Sequence, residues 1–181
     1  MMNERASQII DSAIRMIREG GYHSFSFRQI ATELGIKSAS IHYHFPSKED
    51  LGVAVTKRYT EIFLTSLGQP SDHQRPVDFY IQAFQNSLEQ HESACVCGIL
   101  AAEAGRLPEP VLETLAEFTG KNIQWLEEGL RLQCSDWSEE KVKEYALSIF
   151  SALEGGITFA AFSQQPAHLQ QVGDWLKKIC A

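Results

Sequence analysis

Residues 26–51 read SFRQIATELGIKSASIHYHFPSKEDL, and the fold of the chain turns on this stretch. Ser26 stands three residues before Gln29 at the head of an apolar-periodic segment, the spacing of a capping box, so a helix starts at Phe27. Ile30, Ala31 and Leu34 share one face of that helix, and Gly35 supplies the left-handed residue that ends it. Ile36 plugs the turn. A second helix runs over Ser38–His44, with Ile41 and Phe45 four apart and directed back toward Ile30 and Leu34. Pro46 ends it, and Ser47 with Asp50 repeats the capping signature to open a third helix. Helix, glycine turn and helix at an angle make a helix-turn-helix.

The second helix leaves Lys37, Ser38, Ala39, Ser40, Tyr43 and His44 facing outward. A helix that enters the major groove needs small side chains at its N-terminal end, which Ser38, Ala39 and Ser40 provide. Tyr43 and His44 can reach a phosphate or a thymine methyl, and Lys37 and Lys48 bracket the helix with positive charge. Ser26 and Arg28, at the start of the preceding helix, lie where backbone phosphate would pass. The competing account is a helical hairpin with a solvated face.

These residues resemble the N-terminal domain of the TetR/AcrR family of transcriptional regulators. The resemblance covers residues 5–60 and rests on Ser26, Ile30-Ala31, Gly35-Ile36, Tyr43-His44-Phe45 and Pro46-Ser47-Lys48-Glu49-Asp50-Leu51. Two positions depart from the family pattern. Lys37 stands where serine is usual, which moves the helix cap to Ser38, and His42 replaces a tyrosine and reads as a partly buried packing residue.

Charge divides along the chain as that resemblance requires. Residues 1–60 hold eight Lys/Arg against six Asp/Glu, a balance of +2, so the remainder carries −9 of the overall −7. A basic head on an acidic body suits a protein that meets the duplex with one end. The 44% hydrophobic content is that of a globular protein, no apolar run looks long enough to span a bilayer, and the N-terminus is not a signal peptide. A cytoplasmic protein with its four cysteines as thiols is expected.

Outward from the motif, Ala6, Ile9, Ile10, Ala13, Ile14 and Ile17 mark a supporting helix ended by Gly20-Gly21, and Tyr22, Phe25 and Phe27 pack the corner. Helical spacing continues over 47–67, 76–90, 94–105, 109–133, 138–163 and 166–180, giving about nine helices and no strand. The expected fold is all-α, with a helix-turn-helix DNA-binding domain at 1–50 and a helical effector-binding and dimerisation domain at 51–181. Gly155 and Gly156 sit inside a helix at a cost of about 1 kcal/mol each relative to alanine, beside other small residues. Close helix approach explains that, and the resemblance implies a homodimer interface there, built from Phe150, Leu153, Gly155, Gly156 and Ala160.

The resemblance also implies an effector pocket in the body. Phe63, Tyr80, Phe84, Cys95, Cys97, Phe118, Asn122, Trp125 and Phe150 are candidates to line it; Phe159 is read as core, and Glu103 and Gln124 are further polar partners. Cys95-Val96-Cys97 reads first as small apolar packing and second as a thiol or metal sensor, although zinc normally takes four ligands. No nucleophile–base–orienter pattern or phosphate loop appears, so neither an enzyme nor a cofactor is expected. The function implied is a homodimeric repressor on a double-stranded DNA operator, released by a small molecule, with redox or metal control as the alternative.

Overall fold

Six apolar residues, Ala6, Ile9, Ile10, Ala13, Ile14 and Ile17, form the buried face of α1 (Glu4–Gly20). The computed structural model describes residues 4–179. After α1 come α2 (Phe27–Leu34), α3 (Ser38–His44), α4 (Lys48–Leu67), α5 (Pro76–His91), α6 (Val96–Ala102), α7 (Glu109–Gln133), α8 (Glu139–Ser163) and α9 (Ala167–Ile179). Short 3-10 turns occupy Tyr22–Ser24, Pro70–Asp72 and Ala104–Arg106. The described residues contain no strand, and the all-α expectation holds.

The chain divides into two compact units. One comprises the chain up to Ile62 with Val96–Phe118, and the other comprises Phe63–Cys95 with the chain from Thr119 onward. In the first, Ile9, Ile10, Ile17, Phe25, Ile30, Ile41, Leu51, Val55, Leu100 and Val111 form the core. Each fully buried isoleucine there stabilises by about 1.5–3 kcal/mol relative to an exposed one. The buried Ser12 hydroxyl on α1 donates to the Glu33 carboxylate on α2 at 2.7 Å, and Arg15 pairs with the same carboxylate. These two hydrogen bonds, Ser12 first, hold Glu33 below the usual carboxylate range. Gly52 lets α4 approach closely, since a Cβ there would lie 2.8 Å from the Tyr22 ring and 3.0 Å from Val111.

In the second unit α8 packs on α5 and α9, and α5 on α9. Val142, Ala146, Ile149, Leu153, Gly156, Ile157 and Ala160 form the buried face of α8. One expectation needs correction here: by length and composition α8 is long and apolar enough to cross a bilayer. Residues 145–163 contain a single charged side chain, Glu154, and that scarcity produces the apolar run. The helix meets that test by length and composition alone, and its buried face packs on α5 and α9. Phe159, expected in the core, is 62% exposed because it falls on the opposite side of α8 from Ile157 and Ala160.

Candidate nucleic-acid interface and effector site

The helix-turn-helix is built by its caps. The Ser26 hydroxyl oxygen accepts the Gln29 backbone N–H at 3.3 Å, and Gly35 closes α2 at φ 64° with its N–H directed to the Ala31 and Thr32 carbonyls. The Ser47 hydroxyl accepts the Asp50 N–H at 3.0 Å while the Asp50 carboxylate accepts the Ser47 N–H at 2.9 Å, a complete capping box for α4. Such a cap typically contributes about 1 kcal/mol. The cap of α3 departs from expectation. Lys37, not Ser38, is its N-cap, and its side chain has no oxygen to accept from the first turn.

Ile41 is fully buried and Phe45 nearly so, which fixes the rotation of α3. Lys37, Ser38, Ala39 and Ser40 are consequently exposed, and Tyr43 is 84% exposed. His44 is half-buried, edge-on to Tyr43 with ring centroids 5.1 Å apart. Arg28 is exposed in the first turn of α2 and Ser26 is half-buried. His42 lies exposed, yet its ring packs edge-on against Phe27 at 4.7 Å and its Nδ1 sits 3.3 Å from the Pro46 carbonyl. Lys48 differs from the rest. Its ammonium donates to the Phe25 carbonyl at 2.8 Å and lies over the Phe25 and Tyr22 rings at 4.3 and 4.9 Å. Burial pushes this lysine down from its usual range, and the Glu103 carboxylate opposes the shift.

In the second unit Phe63, Tyr80, Phe84 and Trp125 form one aromatic group, with centroids 5.3–6.0 Å apart between neighbours. The Tyr80 hydroxyl donates to Asn122 Oδ1 at 2.7 Å, and both residues are fully buried. Five candidate pocket residues thus come together. Phe118 and Cys97 belong to the first unit, where Phe118 packs on Tyr59 with centroids 6.2 Å apart. Glu103 also belongs there and binds the Tyr22 backbone N–H, while Gln124 is exposed and bonds to Glu128. Cys95, Cys97 and Cys134 are all buried thiols. Among the described residues no group of three or more His, Cys, Asp or Glu gathers as a metal site would require.

The residue that the sequence reading missed is Glu154. Both its carboxyl oxygens are sealed from solvent and lack a hydrogen-bond partner of ordinary geometry. Burial pushes the carboxyl well above its usual range, and the adjacent Cys95 thiol adds to that. Phe150 and Ile157, four before and three after it on α8, are both buried. One signal was available: Glu154 is the lone charge between Glu144 and Asp174.

Of the five residues expected at a dimer interface, Phe150, Leu153, Gly156 and Ala160 are buried within the chain. A Cβ on Gly156 would meet Leu169 at 3.2 Å and Val172 at 3.4 Å on α9. Gly155 is exposed with open space in front of it. Leu147, Phe159, Phe162 and Trp175, between 54% and 85% exposed, are apolar and uncovered on α8 and α9.

Residues 9–55 match the family described as bacterial regulatory proteins, tetR family, and residues 74–175 match the LmrA/YxaF-like transcriptional regulator C-terminal domain. The HTH-type transcriptional regulator LmrA of Bacillus subtilis is 27% identical over 95% of this chain and 94% of its own. YxaF of the same organism, an HTH-type transcriptional regulator, is 26% identical over 92% and 90%. A TetR transcriptional regulator from Legionella pneumophila superimposes with a TM-score of 0.89 at 30% identity, over 99% of this chain and 98% of the other.

Proposed function

We propose, since the chain belongs to the TetR family of bacterial transcriptional regulators and carries the LmrA/YxaF-like C-terminal domain, that it is a homodimeric repressor which a small-molecule effector releases from its operator. The supporting observation is the division of α3. Ile41 is buried and carries the packing, while Lys37, Ser38, Ala39, Ser40 and Tyr43 are exposed. An exposed row of small side chains beside an exposed aromatic has no packing task and suits major-groove entry. Ser26, Arg28 and Lys48 are assigned to backbone phosphate, and Tyr43 and His44 to the groove wall. DNA reading falls to residues 1–50, with effector binding and pairing in 51–181. The protein acts in the cytoplasm.

Two-fold pairing is favoured by the uncovered apolar side chains of α8 and α9, which leave a face suited to a second copy. The effector reading draws on the aromatic group of the second unit with its buried Tyr80–Asn122 pair. The buried state of Cys95 and Cys97 favours packing over thiol sensing, because a sensor thiol must be reachable as thiolate. The test is a footprint on the DNA flanking its own gene. A protected two-fold-symmetric site with half-sites one helical turn or a multiple apart supports the reading. Equal binding to every sequence tried would overturn it.

A further inference from the structure

We propose that Glu154, with the Cys95 thiol beside it, is the recognition point for a small molecule bearing one protonated amine on an apolar body. This rests on the effector reading above and gives it a ligand class. Both carboxyl oxygens are sealed from solvent without a well-formed hydrogen bond, and the Cys95 thiol is the side chain that contributes hydrogen bonding to them. Phe150 and Ile157 share its side of α8, and Cys95 is the titratable group that acts on it. The Ser93 hydroxyl, two residues before Cys95 on the segment joining α5 to α6, is likewise buried without a partner.

A buried acid with no counter-ion is costly when ionised, so burial favours its protonated form. An ammonium group changes that balance. It supplies the missing positive charge and up to three N–H donors. On its arrival the carboxylic acid gives its proton to solvent, and the resulting carboxylate pairs with the ammonium, so one proton is released for each amine bound. An alcohol of the same shape supplies one donor and no charge. A carboxylate ligand would bring a second anion into the same apolar site. The site therefore discriminates by charge at one end of the ligand.

The probes are two matched sets with the same apolar bodies, octylamine with octanol and octanoate, and phenethylamine with phenethyl alcohol and phenylacetate. Calorimetry on the full chain at neutral pH reads affinity and, through buffers of different ionisation enthalpy, proton release. The expected result is that each amine binds at least about tenfold tighter than its two matches, with about one proton released. Glu154→Gln should abolish both that preference and the proton release. Equal binding of an alcohol or carboxylate, an unchanged preference in Glu154→Gln, or no amine binding would overturn the inference. The proton count on the wild type decides even if the variant fails to fold. Operator affinity measured beside it separates the two readings. Release by octanol or octanoate as readily as by octylamine keeps an effector-driven regulator and sinks the amine site. Amine binding through Glu154 without release keeps the site and sinks the effector.

Discussion

The Glu103 carboxylate accepts the backbone N–H of Tyr22 at 3.0 Å and fills the space that a Cβ on Gly21 would need. The turn after α1 is thereby tied to the segment after α6, across 81 residues of sequence. Gly21 adopts φ 77°, where a side chain is strained even without the carboxylate. Gly21→Ala should destabilise by about 1–3 kcal/mol, and Glu103→Ala by about 1–2 kcal/mol because a shielded N–H loses its acceptor. The double variant should cost clearly less than the two added together, since both act on one contact. Urea unfolding of the four proteins checks this, and strict additivity would break the link.

Lys48 should show two effects where an exposed lysine shows one. Lys48→Ala should reduce operator affinity to a similar degree on all sequences and lower the salt slope by about 1, as loss of one phosphate contact does. It should also lower stability, because the ammonium donates to the Phe25 carbonyl and lies over two rings. Arg28→Ala, exposed in the first turn of α2, should change the salt slope alone. A Lys48→Ala protein with unchanged stability would show that the ring contacts add nothing.

Neighbouring residues on α3 should separate reading from folding. Ser40→Leu leaves the core intact because Ser40 is exposed, and should abolish specific binding with little change in stability. Ile41→Ala should cost about 2–5 kcal/mol of stability through the cavity it leaves. Thermal unfolding and operator affinity on both variants make the comparison. Specific binding by Ser40→Leu would move the groove-reading surface off α3.

What could be read in the sequence was local. The capping pairs Ser26/Gln29 and Ser47/Asp50, the left-handed Gly35 and the stripe Ile9–Ile17 each depend on residues within a turn or two. The bounds of α7 follow from helical spacing for the same reason. What was hidden depends on distant partners. Glu103 was a candidate pocket residue until Tyr22 claimed it, and Gly156 looked like an interface residue until Leu169 and Val172 stood against it. Periodicity finds the buried face of a helix, but it does not say which element buries it. Glu154 went unnoticed because a single acid in an apolar helix carries no spacing signature.

Glu154 also sets a pH dependence whose sign follows from its raised pKa. In the unfolded chain it ionises near 4.5, whereas the folded protein holds the proton to well above that. Between those limits the unfolded state binds fewer protons, so stability falls as pH rises, by at most about 1.4 kcal/mol per pH unit for one group. Glu154→Gln cannot lose a proton there. Its stability advantage over wild type should widen steadily above about pH 5, read by urea unfolding across the series. A constant difference would mean that Glu154 ionises alike in both states.

Gly155 and Gly156 are adjacent, and their substitutions should fail in different ways. Gly156 faces α9 of its own chain, where a Cβ already lies within 3.2 Å of Leu169. Gly156→Leu should therefore overpack that contact and destabilise the fold by about 1–3 kcal/mol, with assembly affected only as a consequence. Gly155 faces open space on the side of α8 that also exposes Leu147, Phe159 and Phe162. If a second copy covers that side, Gly155 is where two helices come closest, and Gly155→Leu should hold them apart while the subunit stays folded. In the absence of a partner the same change should stabilise α8 by up to about 1 kcal/mol, because glycine is a poor residue in a helix interior. Sedimentation and thermal unfolding on both variants distinguish these cases. The expected result is a folded, mostly monomeric Gly155→Leu with weakened operator binding and a destabilised Gly156→Leu. A Gly155→Leu protein that remains a tight dimer would place the pairing surface elsewhere than on the open face of α8.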